Sequence, residues 1–212
     1  AFGMPARPTG AVRAGADADG RAAAPARRSL CPAMLIPTED GLHCPAADAW
    51  IDPWRPVPRA IITHAHADHA RPGMGAYLCA APGAAVLRAR LGPDATIQAV
   101  PYGETIRLGA VELSLHPAGH VLGSAQVRLR GRDATWVVAG DYRVEADRTA
   151  AAFAPLPCDV FVSESTFGLP LYRWRPQAAI MAEIAAWWAV NAAAGRTSVL
   201  AAYSLGKAQR IL

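Results

Sequence analysis

The segment 63–70, with the sequence THAHADHA, constrains the possible folds of this chain more than any other segment. It holds three of the six histidines and one aspartate, namely His64, His66, Asp68 and His69. The preceding residues 59–63 form a short apolar run, which predicts a buried strand. Three imidazoles and a carboxylate are costly to bury unless they are paired or bound to a metal. The segment therefore predicts a metal site at the C-terminal end of a strand.

Two further segments carry metal-binding side chains at predicted strand ends. His116-Pro-Ala-Gly-His120 follows one strand, and Val137-Val-Ala-Gly-Asp141 ends another. Imidazole and carboxylate suit Zn²⁺ or a similar metal, and two close metals can activate a hydroxide that attacks a phosphodiester. Isolated residues carry less weight. A lone histidine such as His43 or His116 more often packs or caps than binds a metal, and Asp52 fits a turn as well as a site.

Composition limits the class of protein. The chain has 212 residues, 52% of them hydrophobic, which is enough for one substantial core or for one domain and part of another. Its charge of +4 comes largely from arginines near the N-terminus, so charge alone is weak support for a nucleic-acid partner. Four scattered cysteines indicate buried thiols in a reducing cytoplasm. No apolar run reaches the ~18 residues of a membrane span, so we expect no membrane association.

Residues 1–29, rich in Ala, Gly, Arg and Pro, are predicted to be a disordered tail or sequence upstream of the fold. Beyond them, the patterns predict a mixed α/β (α+β) fold. The predicted strands cover residues 34–37, 41–44, 49–52, 59–63, 77–80, 96–100, 104–108, 111–116, 125–130, 135–139, 159–163 and 197–201. The predicted helices cover residues 82–91, 176–194 and 205–212, with one short helix after the histidine-rich segment.

Six motifs, in one order, carry a resemblance to a known family. They are GLHCPAADAWIDPWRP (41–56), HAHADH (64–69), PAGHVLGSA (117–125), GDY (140–142), ESTFG (164–168) and YSLGKAQR (203–210). From about residue 34, the chain resembles the metallo-β-lactamase fold and its β-CASP branch of nucleic-acid-processing nucleases. Within that branch it is most similar to the bacterial ligase-associated DNA exonucleases. The resemblance implies an incomplete αββα sandwich over residues 30–175 and the start of a β-CASP domain over residues 176–212.

The resemblance also implies roles for individual residues. The implied ligands are His64, His66 and His120 for one zinc, and Asp68 and His69 for a second, with Asp141 bridging the two. Mn²⁺ is an alternative metal. Asp52 would orient the ligands from outside the site, and Glu164 would be the first acid of the β-CASP branch. The candidate catalytic residues are therefore Asp52, Asp68, Asp141 and Glu164.

In the family, two histidines from later in the chain complete the second metal and protonate the leaving oxygen. No histidine follows His120 in this sequence. We therefore expect the 212 residues to be the N-terminal part of a longer protein, with weak or absent nuclease activity. We also expect the first metal to be retained better than the second.

Four residues are candidates for nucleic-acid contacts. Lys207 lies near a predicted helix N-terminus, where phosphate binds favourably, although a solvated lysine explains it equally well. Arg173 and Arg175 could line a groove in which Trp174 stacks on a base, or they could belong to a loop anchored by the tryptophan.

The leading interpretation is a metal-dependent DNA exonuclease in repair, acting on single-stranded DNA or 3′ ends. An ATP-dependent DNA ligase is its implied partner. Three alternatives stay open: an RNA-processing β-CASP nuclease, a hydrolase of small thioesters or lactams, and an inactive module that binds nucleic acid. ESTFG and YSLGKAQR argue against the small-molecule hydrolase, because by resemblance they belong to the region that grips nucleic acid.

Overall fold

The computed structural model describes residues 33–212, which form one unit built around two β-sheets. The predicted mixed α/β (α+β) class is confirmed. The predicted tail over residues 1–29 and Cys31 lie outside the described residues. Cys44 and Cys79 are buried free thiols, whereas Cys158 is a half-buried one.

The first sheet has six strands in sequence order. They are β1 (Ile36–Thr38), β2 (Gly41–Cys44), β3 (Ala49–Ile51), β4 (Arg59–Ile61), β5 (Ala76–Ala80) and β6 (Ile97–Val100). The first three strands pair antiparallel, and β3 to β6 pair in parallel. The parallel pairing matters for the site, because the C-terminal ends of β3 and β4 lie side by side.

The second sheet has five strands in the order β11-β10-β9-β8-β7. They are β7 (Thr105–Leu108), β8 (Val111–Pro117), β9 (Ala125–Arg130), β10 (Thr135–Val138) and β11 (Val160–Val162). Only β10 and β11 pair in parallel. Strands β8 and β10 therefore run in the same direction on either side of β9, and their C-terminal ends lie at the same end of the sheet.

The main core lies between the two sheets. Alternate residues of β8 point into it, so that Val111, Leu113 and Leu115 are all buried. They form one cluster with Ile61 and Leu78 of the first sheet. The alternation of apolar and polar residues along β8 thus sets which face of the second sheet is covered.

A smaller core covers the opposite face of the first sheet. There, helix α1 (Ala84–Leu91) follows a 3-10 turn (Ala81–Gly83), and its Leu87 is buried against Ile62 and Cys79. Helices α2 (Gln177–Ala193) and α3 (Lys207–Ile211) have no buried residue. Within residues 33–212, α1 is therefore the one α-helix that contributes a buried residue to a core.

Two predicted elements are wrong. The short helix predicted after the histidine-rich segment is a set of turns over residues 67–69, because Pro72 and Gly73 follow too closely for a helix to extend. The strand predicted over residues 197–201 pairs with no strand in the described part of the chain, and Val199 is 83% exposed. A β-branched run forms a strand only where a sheet edge is available to pair with it.

The other predicted elements agree with the structure to within two residues at each end. The predicted domain boundary between residues 175 and 176 stays a prediction. None of the helices that the structure describes combines the length and the apolar character needed to cross a membrane.

We expect Leu113→Ala to lower the free energy of unfolding by about 2–5 kcal/mol, because the substitution leaves a cavity between the sheets. Urea denaturation of the metal-free protein measures the change. Leu169→Ala is the matched control, since Leu169 is 59% exposed and should change stability by less than about 0.5 kcal/mol. Equal effects of the two substitutions would contradict the position assigned to the main core.

Candidate metal centre

Three chain segments bring a cluster of donor atoms together at one edge of the two sheets. His64 and His66 follow β4, His120 lies in the loop between β8 and β9, and Asp141 follows β10. One donor atom from each of these four residues lies within 4.8 Å of all the others, so the group could hold a metal ion. These residues are four of the six ligands that the sequence predicts.

The distances within this first group are short. His64 Nε2 lies 2.9 Å from His66 Nδ1, which lies 3.3 Å from His120 Nε2. The carboxylate oxygen Oδ2 of Asp141 lies 3.5 Å from His120 Nε2 and 3.8 Å from His64 Nε2. The side chain of His64 is completely buried, so its ring nitrogen meets these groups away from water.

The other two predicted ligands, Asp68 and His69, form a second group that adjoins the first, since the ring centroids of His64 and His69 lie 4.1 Å apart. His69 Nε2 lies 3.3 Å from Asp141 Oδ1 and 3.6 Å from Asp68 Oδ2. The two oxygens of Asp141 therefore face different groups, with Oδ2 toward His64 and His120 and Oδ1 toward His69. The geometry suits a carboxylate that bridges two cations.

Asp52 holds the histidine-rich segment in place by hydrogen bonds to Thr63 and His69. Its Oδ1 accepts the backbone N–H of Thr63 at 2.8 Å, and its Oδ2 accepts the Thr63 hydroxyl at 2.5 Å. The same Oδ2 contacts His69 Nδ1 at 2.7 Å. Asp52 sits in the left-handed backbone region, with φ +43°, which aims its carboxylate at the end of β4.

The hydrogen-bond network assigns the protons on the histidines. Because the single hydroxyl hydrogen of Thr63 goes to Asp52, the contact of 3.1 Å between Thr63 Oγ1 and His64 Nδ1 requires the histidine to donate. His66 Nε2 donates to the carbonyl oxygen of Leu205 at 3.2 Å. The rings therefore turn Nε2 of His64 and Nδ1 of His66 into the first group, and these are the nitrogens that would bind a metal.

Gly140 explains why a Gly-Asp pair ends β10. Its φ is +59°, and a Cβ atom at this position would lie 2.8 Å from both Cβ and Oγ1 of Thr63. A side chain here would push Asp141 away from the histidines. The glycine therefore lets the two ligand-bearing strand ends approach each other.

The pKa values follow from burial and from the ion pairs. Burial, with the nearby charge of His69, lowers the pKa of His64 to about 2, and burial also lowers the pKa of His120. Burial opposes the charge on His69 as well, but Asp141 and Asp52 outweigh it and raise its pKa to about 10. Contact with His69 lowers the pKa of Asp141 to about 2. His64 and His120 are therefore neutral, which is the form that binds metals.

Glu164 lies beside the cluster but outside its donor groups. It follows β11, and its Oε1 accepts the backbone N–H of Tyr142 at 3.2 Å. His43 and His116 do not belong to the cluster of donor atoms. The ring of His43 stacks on that of Trp50, with centroids 4.0 Å apart, and His116 is hydrogen-bonded to Ser114. Both histidines have the packing and hydrogen-bonding roles that the sequence favoured.

The four candidate nucleic-acid contacts are spread over the surface. Lys207 is exposed and lies over the ring of Tyr203 at 5.2 Å. Trp174 is 69% exposed and meets Phe167 edge to face, Arg173 is exposed, and Arg175 pairs with Glu183. The predicted role of these four residues stays a prediction.

Sequence reasoning missed two groups that shape the site. Thr63 is the first residue of the motif, but nothing in the sequence indicates that its buried hydroxyl would orient His64. The carbonyl of Leu205 comes 139 residues after His66. The YSLGKAQR motif pointed to this segment, but no pattern indicates that a backbone oxygen would meet a ligand.

Sequence comparisons place the chain among known proteins. It is 36% identical over 174 residues, 81% of this chain, to a probable DNA ligase of Opitutus terrae, of which the match covers 17%. It is 30% identical over 118 residues, 55% of this chain, to the endoribonuclease YSH1 of Eremothecium gossypii, and 29% identical over 118 residues to that of Saccharomyces cerevisiae. Those two matches cover 15% of each endoribonuclease. The chain thus spans less than a fifth of the length of these relatives.

No family model matches the chain. Among solved structures, similarity is found to a protein of unknown function from Enterococcus faecalis V583, with a TM-score of 0.46 and 13% identity over 62% of this chain and 39% of that one. The metallo-β-lactamase SMB-1 is 23% identical, with a TM-score of 0.33 over 38% of this chain and 41% of that one.

The sequence matches confirm the relation that the motifs predicted. The chain is related to the nucleases of the metallo-β-lactamase and β-CASP group, which include the YSH1 endoribonucleases, and it is similar to a probable DNA ligase. Its own activity, substrate and partners are not given by this relation.

We expect Asp52→Asn to weaken zinc binding by about 10- to 100-fold, because an amide cannot accept the hydrogen bonds of Thr63 and His69 at the same time. Competition with a chromophoric chelator measures the affinity. Asp48→Asn is the matched control, since Asp48 is exposed and has a similar backbone, with φ +49°. An Asp52→Asn affinity within twofold of this control would contradict the orienting role of Asp52.

Proposed function

We propose that this chain carries the two-zinc centre of a nuclease that hydrolyses phosphodiester bonds in DNA. His64, His66 and His120, with Oδ2 of Asp141, would hold one zinc. Asp68 and His69, with Oδ1 of Asp141, would hold the other. The observation that carries the proposal is the convergence of four donor atoms, one each from His64, His66, His120 and Asp141, which all lie within 4.8 Å of one another.

The spacing of these donor atoms suits a small metal ion. Ligands about 2.0–2.1 Å from a tetrahedral zinc lie roughly 3.3 Å from one another. The four contacts measured within the first group range from 2.9 to 3.8 Å. The donor set of three imidazoles and one carboxylate also suits zinc rather than a hard cation such as Mg²⁺.

Bound zinc would polarise a phosphoryl oxygen and make a water more acidic. The residues of the chain prepare the site for this chemistry. Asp52 orients His69 and Thr63, and Thr63 and Leu205 fix the tautomers of His64 and His66. Glu164 accepts the backbone N–H of Tyr142, the residue after Asp141, and would be the first acid of the β-CASP branch.

DNA is the proposed substrate because the chain matches a probable DNA ligase over 174 residues. The further proposals are a ligase-associated role in repair, an ATP-dependent ligase as partner, and exonuclease action on single strands or 3′ ends; they rest on the resemblance of the motifs. RNA is the second candidate, since several relatives are endoribonucleases. Among the candidate contacts, we assign phosphate binding to Lys207, which lies two residues after Leu205, and base stacking to Trp174 with Arg173 and Arg175.

We expect the protein to bind about two zinc ions per chain, and His120→Gln to lose at least one of them. Equilibrium dialysis followed by elemental analysis measures the bound metal. His43→Gln is the matched control and should keep both ions, because His43 stacks on Trp50 away from the cluster. Zinc bound equally by the two variants would contradict the proposed ligand set.

We expect the zinc-loaded protein to cleave labelled single-stranded DNA slowly and faster than RNA, a chromogenic lactam or a thioester. Asp141→Asn should reduce the rate by on the order of 100-fold or more, because it removes a bridging charge. Faster cleavage of RNA would favour the second candidate, and faster hydrolysis of the lactam or thioester would contradict a nuclease. Because weak or absent activity is expected of these 212 residues, zinc binding without any cleavage would agree both with the nuclease and with the module that binds nucleic acid without cutting it.

A further inference from the structure

Two loops that carry ligands lie in direct backbone contact. The backbone N–H of Arg143 donates to the carbonyl of Ala118 at 2.9 Å, which joins the loop after Asp141 to the loop of His120. Gly119 has φ +75°, and a Cβ atom there would lie 2.1 Å from the carbonyl oxygen of Arg143. The two loops are therefore packed more closely than any side chain at residue 119 would allow.

The buried carboxylate of Asp147 pairs with Arg143 near this contact and is not one of the donor groups of the metal centre. The side chain of Asp147 is 2% exposed. Its Oδ1 accepts the backbone N–H and the hydroxyl of Thr149, at 2.8 and 2.6 Å. Its Oδ2 pairs with Arg143 Nη1 at 3.1 Å and with Arg210 Nε.

The two arginines carry this interaction to the ligand loops. Arg210, which comes from α3, donates its Nη2 to the carbonyl of His120 at 2.7 Å. Arg143 is part of the loop that follows Asp141, and its Nη2 bonds to Gln177 at 3.0 Å. Asp147 thus links two ligand segments. Its ion pair with Arg210 reaches the backbone of His120, and its ion pair with Arg143 reaches the loop that follows Asp141.

The charge on Asp147 is what holds the two guanidinium groups at one point. Without it, Arg143 and Arg210 would lie close together as like charges, with only the exposed Glu145 left to pair with Arg143, which is unfavourable in a partly buried setting. Burial would raise the pKa of Asp147, but the bonds from Thr149 and the pairing with Arg210 hold it below its usual range. The carboxylate is therefore ionised at neutral pH and keeps both arginines in place.

We propose that Asp147 is a positioning residue of the metal centre, which acts through Arg143 and Arg210 to fix His120 relative to Asp141. The inference rests on the proposed zinc site. A role in fold stability alone would predict a different outcome, since loss of the ion pairs would then lower the melting temperature without changing the affinity of the folded protein for metal.

The test uses the 212-residue chain with zinc alone as the probe. Asp147→Asn keeps the size of the side chain and removes its charge, while Arg210→Gln removes the link to His120. Glu145→Gln is the matched control, because Glu145 also contacts Arg143, at 3.2 Å, but is 77% exposed. Zinc affinity is measured by chelator competition at a temperature where circular dichroism shows each metal-free variant to be folded.

We expect Asp147→Asn and Arg210→Gln each to weaken zinc binding by about tenfold, and Glu145→Gln by less than about twofold. The absorption spectrum of the Co²⁺-substituted protein should shift in the first two variants and not in the control. Affinities within twofold of the parent, with only the melting temperature lowered, would overturn the proposal. If Asp147→Asn does not fold, Arg210→Gln decides alone. A parent chain that binds no zinc would instead overturn the metal centre itself.

Discussion

The bond between the Asp52 carboxylate and Thr63 fixes the point from which the ligands project. Asp52 accepts both the backbone N–H and the hydroxyl of Thr63, and the carbonyl of Thr63 accepts the N–H of Ala125 on the other sheet. Thr63 is 1% exposed, and a buried hydrogen bond left unmade costs about 1–3 kcal/mol. The ends of both sheets are therefore joined at one residue, directly before the first histidine.

The cluster of donor atoms is a consequence of this junction. Groups outside the cluster meet the other nitrogen of each ring, so Nε2 of His64 and Nδ1 of His66 face each other across 2.9 Å. A cation held between the rings would bind both of these nitrogens. Metal binding and stability are therefore linked, because a metal that binds only the folded chain also stabilises it.

Local pattern in the sequence predicted most of the framework. Strand alternation along β8 and the positions of His64, His120 and Asp141 at strand ends follow from residues close in the chain. The contacts that orient the ligands do not, since Leu205 meets His66 and Arg210 meets His120 across 139 and 90 residues. The strand predicted over residues 197–201 failed for the same reason, because pairing depends on a distant sheet edge.

X-ray absorption at the zinc edge tests the central claim most directly, because it reports the atoms bound to the metal. The account predicts a shell of nitrogen and oxygen at about 2.0–2.1 Å with the multiple scattering of imidazole rings. That shell should be lost when His64 is replaced. A sulfur shell at about 2.3 Å, which would place the metal on the free cysteines instead, would contradict the account.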